Sequence, residues 1–157
     1  MGTEIERKFL VNGDAWRDGA DRLECAQGYI ATGPPVSVRV RTMGAKGMLT
    51  VKTDRSAITR GEYEYEIPVE DARELLSSAC KSAVIEKTRY LVSFAGMTWE
   101  VDEFHGSNEG LIVAELELTS EDQPFESPPW LGAEVSHDPR YFNSNLSQHP
   151  YAEWGDE

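Results

Sequence analysis

Apolar and polar residues alternate along most of this chain with a period of two. Such alternation is typical of β-strands, because successive side chains of a strand point to opposite faces of the sheet. Turn residues separate the alternating segments, so the pattern predicts eight strands. These are residues 3–11, 26–31, 36–42, 48–53, 59–69, 84–94, 97–104 and 110–119.

Helical spacing of apolar residues is clear at residues 70–81, and weaker helical turns are expected around residues 14–21. The sequence Pro-Pro-Trp-Leu at residues 128–131 favours the start of a short helix. Hairpin turns are expected at residues 44–47 and 95–96, and a loop at residues 55–57. Many short strands with few helices predict a mainly β (α+β) fold, an antiparallel barrel or a large curved sheet.

The length of 157 residues fits one domain, expected at residues 1–150, followed by a short acidic tail at 151–157 that frays. No apolar run approaches the roughly 20 residues of a transmembrane helix. The first ten residues also lack the apolar stretch of a signal peptide. The two cysteines, Cys25 and Cys80, have no CxxC spacing. We therefore expect reduced, packing cysteines in a cytoplasmic protein.

The formal net charge of −13 opposes binding to nucleic acid and to an anionic membrane surface, so neither partner is expected. The three histidines, His105, His137 and His149, are scattered and lack the spacing of zinc ligands. The net charge hides a pattern, because acidic and basic residues are distributed unevenly among the predicted strands.

Seven of the eight predicted strands place charged residues on one face, and most of them have an apolar opposite face. Like charges two positions apart repel, so opposite charges on neighbouring strands, a bound metal or bound phosphate should offset them. The basic residues on these faces are Arg39, Arg41, Lys52, Lys87 and Arg89. The acidic ones are Glu4, Glu6, Glu62, Glu64, Glu66, Glu100, Asp102, Glu115 and Glu117, with Lys8 beside the first two.

Clustered carboxylates provide the oxygen ligands that Mg²⁺ and Mn²⁺ prefer, and clustered Arg and Lys bind phosphate oxygens. Both sets on one face predict a metal-assisted polyphosphate site. The alternative is a face that is merely solvated or paired internally. On the apolar faces, Tyr63, Tyr65 and Tyr90 are expected to pack, and Trp130 and Leu131 to cover the barrel's outer surface.

The same segments resemble the CYTH superfamily, also called the triphosphate tunnel metalloenzymes. Residues 4–8 are similar to its ExExK signature, and residues 138–146 resemble the C-terminal signature of its short bacterial members. The resemblance covers nearly the whole chain. The intervening matches follow in the family's order and are residues 38–41, 50–52, 62–67, 86–90, 101–104 and 114–118.

The resemblance implies an eight-stranded antiparallel closed tunnel barrel with a few helices packed outside. The metal ligands that it implies for Mg²⁺ or Mn²⁺ are Glu4, Glu6, Glu115 and Glu117. The phosphate-binding residues that it implies are Lys8, Arg39, Arg41, Lys52, Lys87 and Arg89. The catalytic residues that it implies are Glu4, Glu6, Lys8, Lys52, Glu62, Glu64 and Asp102, while Glu66 has less weight because it lies near a strand end.

The function that the resemblance implies is metal-dependent hydrolysis of inorganic triphosphate to pyrophosphate and phosphate, by a monomer or homodimer. A class IV adenylate cyclase and a hydrolase of thiamine triphosphate or a nucleotide are alternatives within the family. No purine-binding element is evident, although Tyr29 could stack on a base. A non-catalytic polyphosphate- or nucleotide-binding module is an alternative of another class. The complete set of Glu-x-Glu pairs favours catalysis.

Overall fold

The chain forms a β-barrel in a computed structural model that describes residues 2–33, 35–54, 58–80 and 83–155. Eight strands pair antiparallel in the order β5-β4-β3-β2-β6-β7-β8-β1. They are β1 (Glu4–Val11), β2 (Asp21–Ala31), β3 (Val36–Met43), β4 (Lys46–Asp54), β5 (Thr59–Ile67), β6 (Ile85–Phe94), β7 (Met97–Phe104) and β8 (Ile112–Leu118). The strand bounds expected from the alternation differ from these by a few residues. The largest difference is at β2, which begins five residues before the predicted start at residue 26.

The barrel closes through a short contact between β1 and β5. Glu4 pairs with Arg60, and the backbone N–H of Glu6 donates to the Ile58 carbonyl at 2.9 Å. Because the first and last strands of the sheet thus pair with each other, the sheet is a closed barrel. The mainly β fold and the eight-stranded antiparallel barrel expected from the sequence are confirmed.

A ninth strand, β9 (Leu131–Glu134), pairs with the second half of β1. The prediction that a short helix starts within residues 128–131 is therefore wrong, because this segment leads into a strand. β1 contacts β5 only at its first residues, so the rest of that edge needs other backbone partners. The N–H of Val135 donates to the Lys8 carbonyl at 2.8 Å. Pairing along this edge outweighs the local preference of the two prolines.

Two helices occur in the described chain, α1 (Val69–Ser78) and α2 (Asn143–Leu146). Glu70 and Asp71 lie in the first turn of α1, where acidic groups interact favourably with the helix dipole. α1 confirms the helix expected at residues 70–81, although Lys81 and the loop expected at residues 55–57 lie outside the described residues. Neither helix has the length and apolar character needed to cross a membrane. Single 3₁₀ turns occur at Ala15–Arg17, Gly106–Asn108, Pro139–Tyr141 and Tyr151–Glu153.

The larger hydrophobic core lies on the outer face of the barrel. Its centre is Trp99, which is fully buried and meets Phe9, Phe125 and Trp130 edge to face, each with ring centroids 5.7 Å apart. The segment before β9 therefore covers this face, as the sequence predicts for Trp130. Because the apolar residues of the strands point outward, their charged residues point into the barrel.

The tyrosines of β5 depart from this pattern. Tyr63 is 43 % exposed and Tyr65 is 63 % exposed, so the prediction that both pack is wrong. Alternation places them outward as expected, but α1 packs over β3 and β4 instead of over β5. Tyr90 does pack, with its ring edge to face on Trp16 at 5.0 Å.

Gly28 of β2 permits the close approach of the segment that follows α1. A Cβ at this position would lie 2.6 Å from Cys80 Sγ and 3.2 Å from Leu76 Cδ2. We expect Gly28→Ala to destabilise the fold by about 1–3 kcal/mol, because overpacking forces the backbone or side chains to shift. Thermal unfolding followed by circular dichroism measures this loss.

Removal of the clashing sulfur provides the control for this prediction. Cys80 is a free thiol, so Cys80→Ala breaks no disulfide. The double variant Gly28→Ala, Cys80→Ala should regain part of the lost stability, since the 2.6 Å contact is to Sγ. Equal melting temperatures for the wild type and Gly28→Ala would show that the strand and the helix do not need this close approach.

The C-terminal segment closes one end of the barrel with a second, smaller core. Ile85, Phe104 and Val113 have the inward alternation of their strands, and they pack with Leu146 and Trp154. Trp154 is 7 % exposed and stacks edge to face on neighbouring tyrosine rings. Residue 154 of the expected tail is thus packed against the barrel end, while the domain boundary at residue 150 stays a prediction.

Candidate functional site

A cavity of about 150 Å³ lies inside the barrel, and charged side chains dominate its wall. Seven acidic residues and seven basic residues of the described chain line it, so the excess negative charge of the protein lies elsewhere. The acidic ones are Glu4, Glu6, Glu62, Glu64, Glu100, Glu115 and Glu117, and the basic ones are Lys8, Arg39, Arg41, Lys52, Arg60, Lys87 and Arg89. Tyr29, Ser37, Phe142, Asn143 and Ser144 complete the wall.

The alternation of the strands sets neighbouring inward side chains side by side, and many of them pair. Lys52 Nζ lies 2.9 Å from a Glu4 oxygen and 3.6 Å from a Glu62 oxygen. On the adjacent strands, the Thr50 hydroxyl donates to Glu64 at 2.7 Å. These contacts link β1, β4 and β5 on the wall where the barrel closes.

One side of the cavity is a carboxylate cluster formed by Glu6, Glu100 and Glu115. One oxygen from each lies within 4.8 Å of the others. The Lys8 ammonium contacts this cluster through Glu115 and, at 3.3 Å, through Glu6. Oxygen donors at this spacing fit a hard divalent cation such as Mg²⁺ or Mn²⁺.

Glu100 is the member of the carboxylate cluster whose charge is least compensated. Burial raises its pKa to about 7, and the neighbouring Glu115, Asp102 and Glu6 add to this effect against the opposing charge of Arg89. Arg89 contacts it at 3.3 Å. A carboxyl group held so close to other carboxylates is one that an added cation would stabilise.

Arg39 and Arg41, the two arginines of β3, form a part of the cavity wall where the nearby negative charge does not fully compensate the two guanidinium groups. Arg39 and Arg41 are 7 % and 6 % exposed, and their contacts to Glu64 are long, at 3.5 and 3.3 Å. The Nε atoms of both are buried without a hydrogen-bond partner among the described residues. Burial, together with Arg39 and Arg89, lowers the pKa of Arg41. An anion bound here would satisfy both guanidinium groups.

Asp102 lies behind the cavity wall and holds two of its cations. Arg89 donates to it twice, at 2.8 and 2.9 Å, and Lys87 Nζ lies 2.9 Å away. Burial alone would raise the pKa of Asp102, but Arg89 and Lys87 outweigh it and lower that pKa. Burial nevertheless lowers the pKa of Lys87. Arg89 also contacts Glu115 at 3.1 Å and Glu100 at 3.3 Å, so its charge is well compensated. Among the described residues, Lys87 has no second carboxylate within 4 Å, so part of its positive charge remains for a ligand.

Residues 2–151 match the model of the CYTH domain family. The chain belongs to the CYTH domain family.

Named relatives of this CYTH domain are inorganic triphosphatases. The chain is 54 % identical over 151 residues to the inorganic triphosphatase of Acetivibrio thermocellus, which covers 96 % of this chain and 97 % of that protein. It is 39 % identical over 150 residues to that of Nitrosomonas europaea, which covers 92 % and 97 % respectively. A crystal structure of an inorganic triphosphatase superposes with a TM-score of 0.67 at 37 % identity, over 94 % of this chain and 95 % of that chain.

The CYTH barrel brings together most residues that the sequence singled out. The predicted residues that line its cavity are Glu4, Glu6, Lys8, Arg39, Arg41, Lys52, Glu62, Glu64, Lys87, Arg89, Glu115 and Glu117. Asp102 is 1 % exposed, does not line the cavity and acts on it through Lys87 and Arg89. Glu66 is exposed and outside the cavity wall.

The sequence assigned no catalytic, metal-binding or phosphate-binding role to the cavity residues Arg60, Glu100 and Asn143, although it placed Glu100 on the charged face of its strand. Glu100 has the same alternation as Asp102, and Arg60 the same as Glu62, so the period of two carried a signal for both. Asn143 belongs to the C-terminal segment, where no strand period applies. Only the folding of that segment onto the barrel end brings it to the cavity.

Proposed function

We propose that this CYTH domain hydrolyses inorganic triphosphate to pyrophosphate and phosphate with the help of a divalent metal. One observation carries the proposal: buried cations with too little compensating charge face a carboxylate cluster across one small cavity. The cations suit a chain of phosphates, and the carboxylates suit the metal that accompanies it. The names of both curated relatives agree with this substrate.

The chemistry of the carboxylate cluster fits Mg²⁺ or Mn²⁺. Glu6, Glu100 and Glu115 would hold the ion, and Glu4 and Glu117 on the same wall are the further ligands that we propose. When bound, the ion neutralises phosphate charge and lowers the pKa of a coordinated water.

The protein's own side chains bind and orient the substrate. Arg39 and Arg41 donate to phosphate oxygens, which gives their buried Nε atoms the hydrogen-bond partners that these atoms lack among the described residues. Lys87 and Arg89, fixed by Asp102, stabilise charge that develops on the transferred phosphoryl group. A carboxylate of the wall orients water for in-line attack on a terminal phosphorus, and the leaving group is pyrophosphate.

Phosphate release from three substrates tests the proposed function. Tripolyphosphate, ATP and thiamine triphosphate are each assayed with Mg²⁺, with Mn²⁺ and with EDTA. We expect metal-dependent turnover of tripolyphosphate well above that of the two organic triphosphates. Faster release from an organic triphosphate, or formation of cyclic AMP from ATP, would replace the inorganic substrate. Tight binding without any turnover would instead indicate a binding module.

Two further proposals concern the setting of the enzyme. We propose a cytoplasmic location, supported by the free thiols of Cys25 and Cys80, and a monomer or homodimer as the assembly. Cell fractionation and light scattering of the purified protein measure the two properties directly.

A further inference from the structure

The C-terminal segment contributes a polar wall to the cavity that the function proposed above does not yet use. Phe142, Asn143 and Ser144 line the cavity beside the strand residues. The Arg60 guanidinium lies over the Phe142 ring, 4.6 Å from its centroid, and Leu146 is 1 % exposed in the core that closes the barrel end. These contacts fix the position of Asn143 relative to the strands.

The side-chain amide of Asn143 has a defined orientation. Its Oδ1 accepts from Lys87 Nζ at 3.4 Å and from Gln27 Nε2 at 2.9 Å. Because an ammonium group only donates, Asn143 must present its oxygen, not its nitrogen, to Lys87. Its NH₂ group therefore points away from Lys87 and Gln27, and the residue itself lines the cavity.

The same contact directs Lys87. Its ammonium has three N–H donors, of which Asp102 at 2.9 Å and Asn143 take two. Lys87 is 1 % exposed yet lines the cavity, so the third N–H is the one available to a ligand. Asn143 and Asp102 together hold the ammonium in the orientation that a bound anion requires.

Gln27 supports this arrangement without contacting phosphate itself. It is fully buried, and its Oε1 has no hydrogen-bond partner among the described residues. An acceptor oxygen cannot pair with an acceptor oxygen of phosphate. The role of Gln27 is therefore to donate to Asn143 and hold its amide.

We propose that Asn143 is a phosphate-binding residue of this site: its Oδ1 positions Lys87, and its NH₂ group donates to an oxygen of the triphosphate. The inference rests on the proposed function, because it names a further residue of the same site. It gives the C-terminal segment a direct part in substrate recognition, in addition to closing the barrel end.

Substitution by an isosteric residue separates binding from folding. Asn143→Asp keeps an acceptor for Lys87 and Gln27 but removes the NH₂ donor and adds a negative charge. We expect the KM for tripolyphosphate to rise by about tenfold or more, because a hydrogen bond to a charged group is lost. Asn143→Ala loses the hold on Lys87 as well, so its kcat should also fall.

The matched control is Asn145→Asp, two positions along α2. Asn145 donates to the Pro139 carbonyl at 2.7 Å and does not line the cavity. Its KM should stay within about twofold of the wild-type value, since an exposed hydrogen bond contributes little. Thermal unfolding of each variant without ligand, and its upward shift with tripolyphosphate in EDTA, provide a second readout that needs no turnover.

The outcomes distinguish this inference from the function on which it rests. A raised KM and a smaller ligand-induced shift for both Asn143 variants, with the control unchanged, support it. A wild-type KM in both Asn143 variants overturns the inference alone. If the wild type neither binds nor hydrolyses tripolyphosphate, the proposed function fails and this inference fails with it.

Discussion

Replacing Glu6 by Gln should lower metal-dependent turnover of tripolyphosphate by about 100-fold or more, since loss of even a supporting group of a metal site typically costs 10–100-fold. Glu6 lies in the carboxylate cluster with Glu100 and Glu115. Burial opposes its ionisation, but Lys8, Lys52 and Arg89 together outweigh burial and lower the pKa of Glu6, so the group is a carboxylate at neutral pH. Gln keeps the shape and removes the charge that a divalent ion needs.

Glu66→Gln is the matched control for this experiment. Glu66 has the alternation of Glu62 and Glu64 but is exposed and outside the cavity wall. Each substitution removes one negative charge, so effects of net charge are equal in the two variants. We expect Glu66→Gln to retain wild-type turnover at every metal concentration.

Titration with Mn²⁺ shows whether the loss arises at the metal. Calorimetry should show weaker Mn²⁺ binding to Glu6→Gln, and high metal concentrations should restore part of its activity. Identical Mn²⁺ binding by the wild type and Glu6→Gln would mean that the carboxylate cluster is not the metal site. An equal fall in activity for Glu66→Gln would point to net charge as the cause.

The period of two in the sequence accounts for much of the site. It predicts which side chains of each strand share a face, and the barrel places most of them on one cavity wall. The alternation also carried the information for Glu100 and Arg60, which have the parity of neighbouring site residues. The alternation had already placed Glu100 on the charged face of its strand, and the same rule applied to β5 would have added Arg60.

Depth within the barrel cannot be read from alternation. Asp102 and Glu100 share one face of β7. Asp102 is nevertheless only 1 % exposed, whereas the side chain of Glu100 is 38 % exposed. The difference arises because the barrel end near Phe104 is closed by the C-terminal segment, a contact between parts of the chain distant in sequence. The position of Asn143 depends on the same contact.

The local sequence pattern also cannot predict which segments pack on the outer face of the barrel. The alternation correctly predicts that Tyr63 and Tyr65 point outward, but it does not indicate which strands α1 covers. Likewise, the prolines before Trp130 favour a helix start locally, whereas the unpaired edge of β1 recruits this segment as β9. In both cases the packing depends on which strand faces and strand edges of the folded barrel are left without a partner.

Removing the carboxylate of Asp102 should destabilise the fold more than any other single change discussed here. Asp102→Ala leaves Lys87 buried, at 1 % exposure, without its carboxylate partner. Arg89 loses its bidentate partner but keeps its contacts to Glu115 and Glu100. Breaking a buried pair by removing one partner typically costs about 3–5 kcal/mol, because the remaining charge stays out of water. Because Lys87 loses its carboxylate partner whereas Arg89 keeps two others, we expect a loss within that range.

Asp138→Ala is the matched comparison on the surface. Asp138 also pairs with an arginine, Arg140, at 2.8 Å, but both side chains are about one-third exposed. An exposed pair contributes about 0–1 kcal/mol, so this variant should unfold close to the wild type. Urea unfolding measures both variants without the screening by salt that guanidinium would add. Similar losses for the two variants would show that the buried cations find other partners. A large loss confined to Asp102→Ala would show that the buried cations Lys87 and Arg89 need this carboxylate for the stability of the fold.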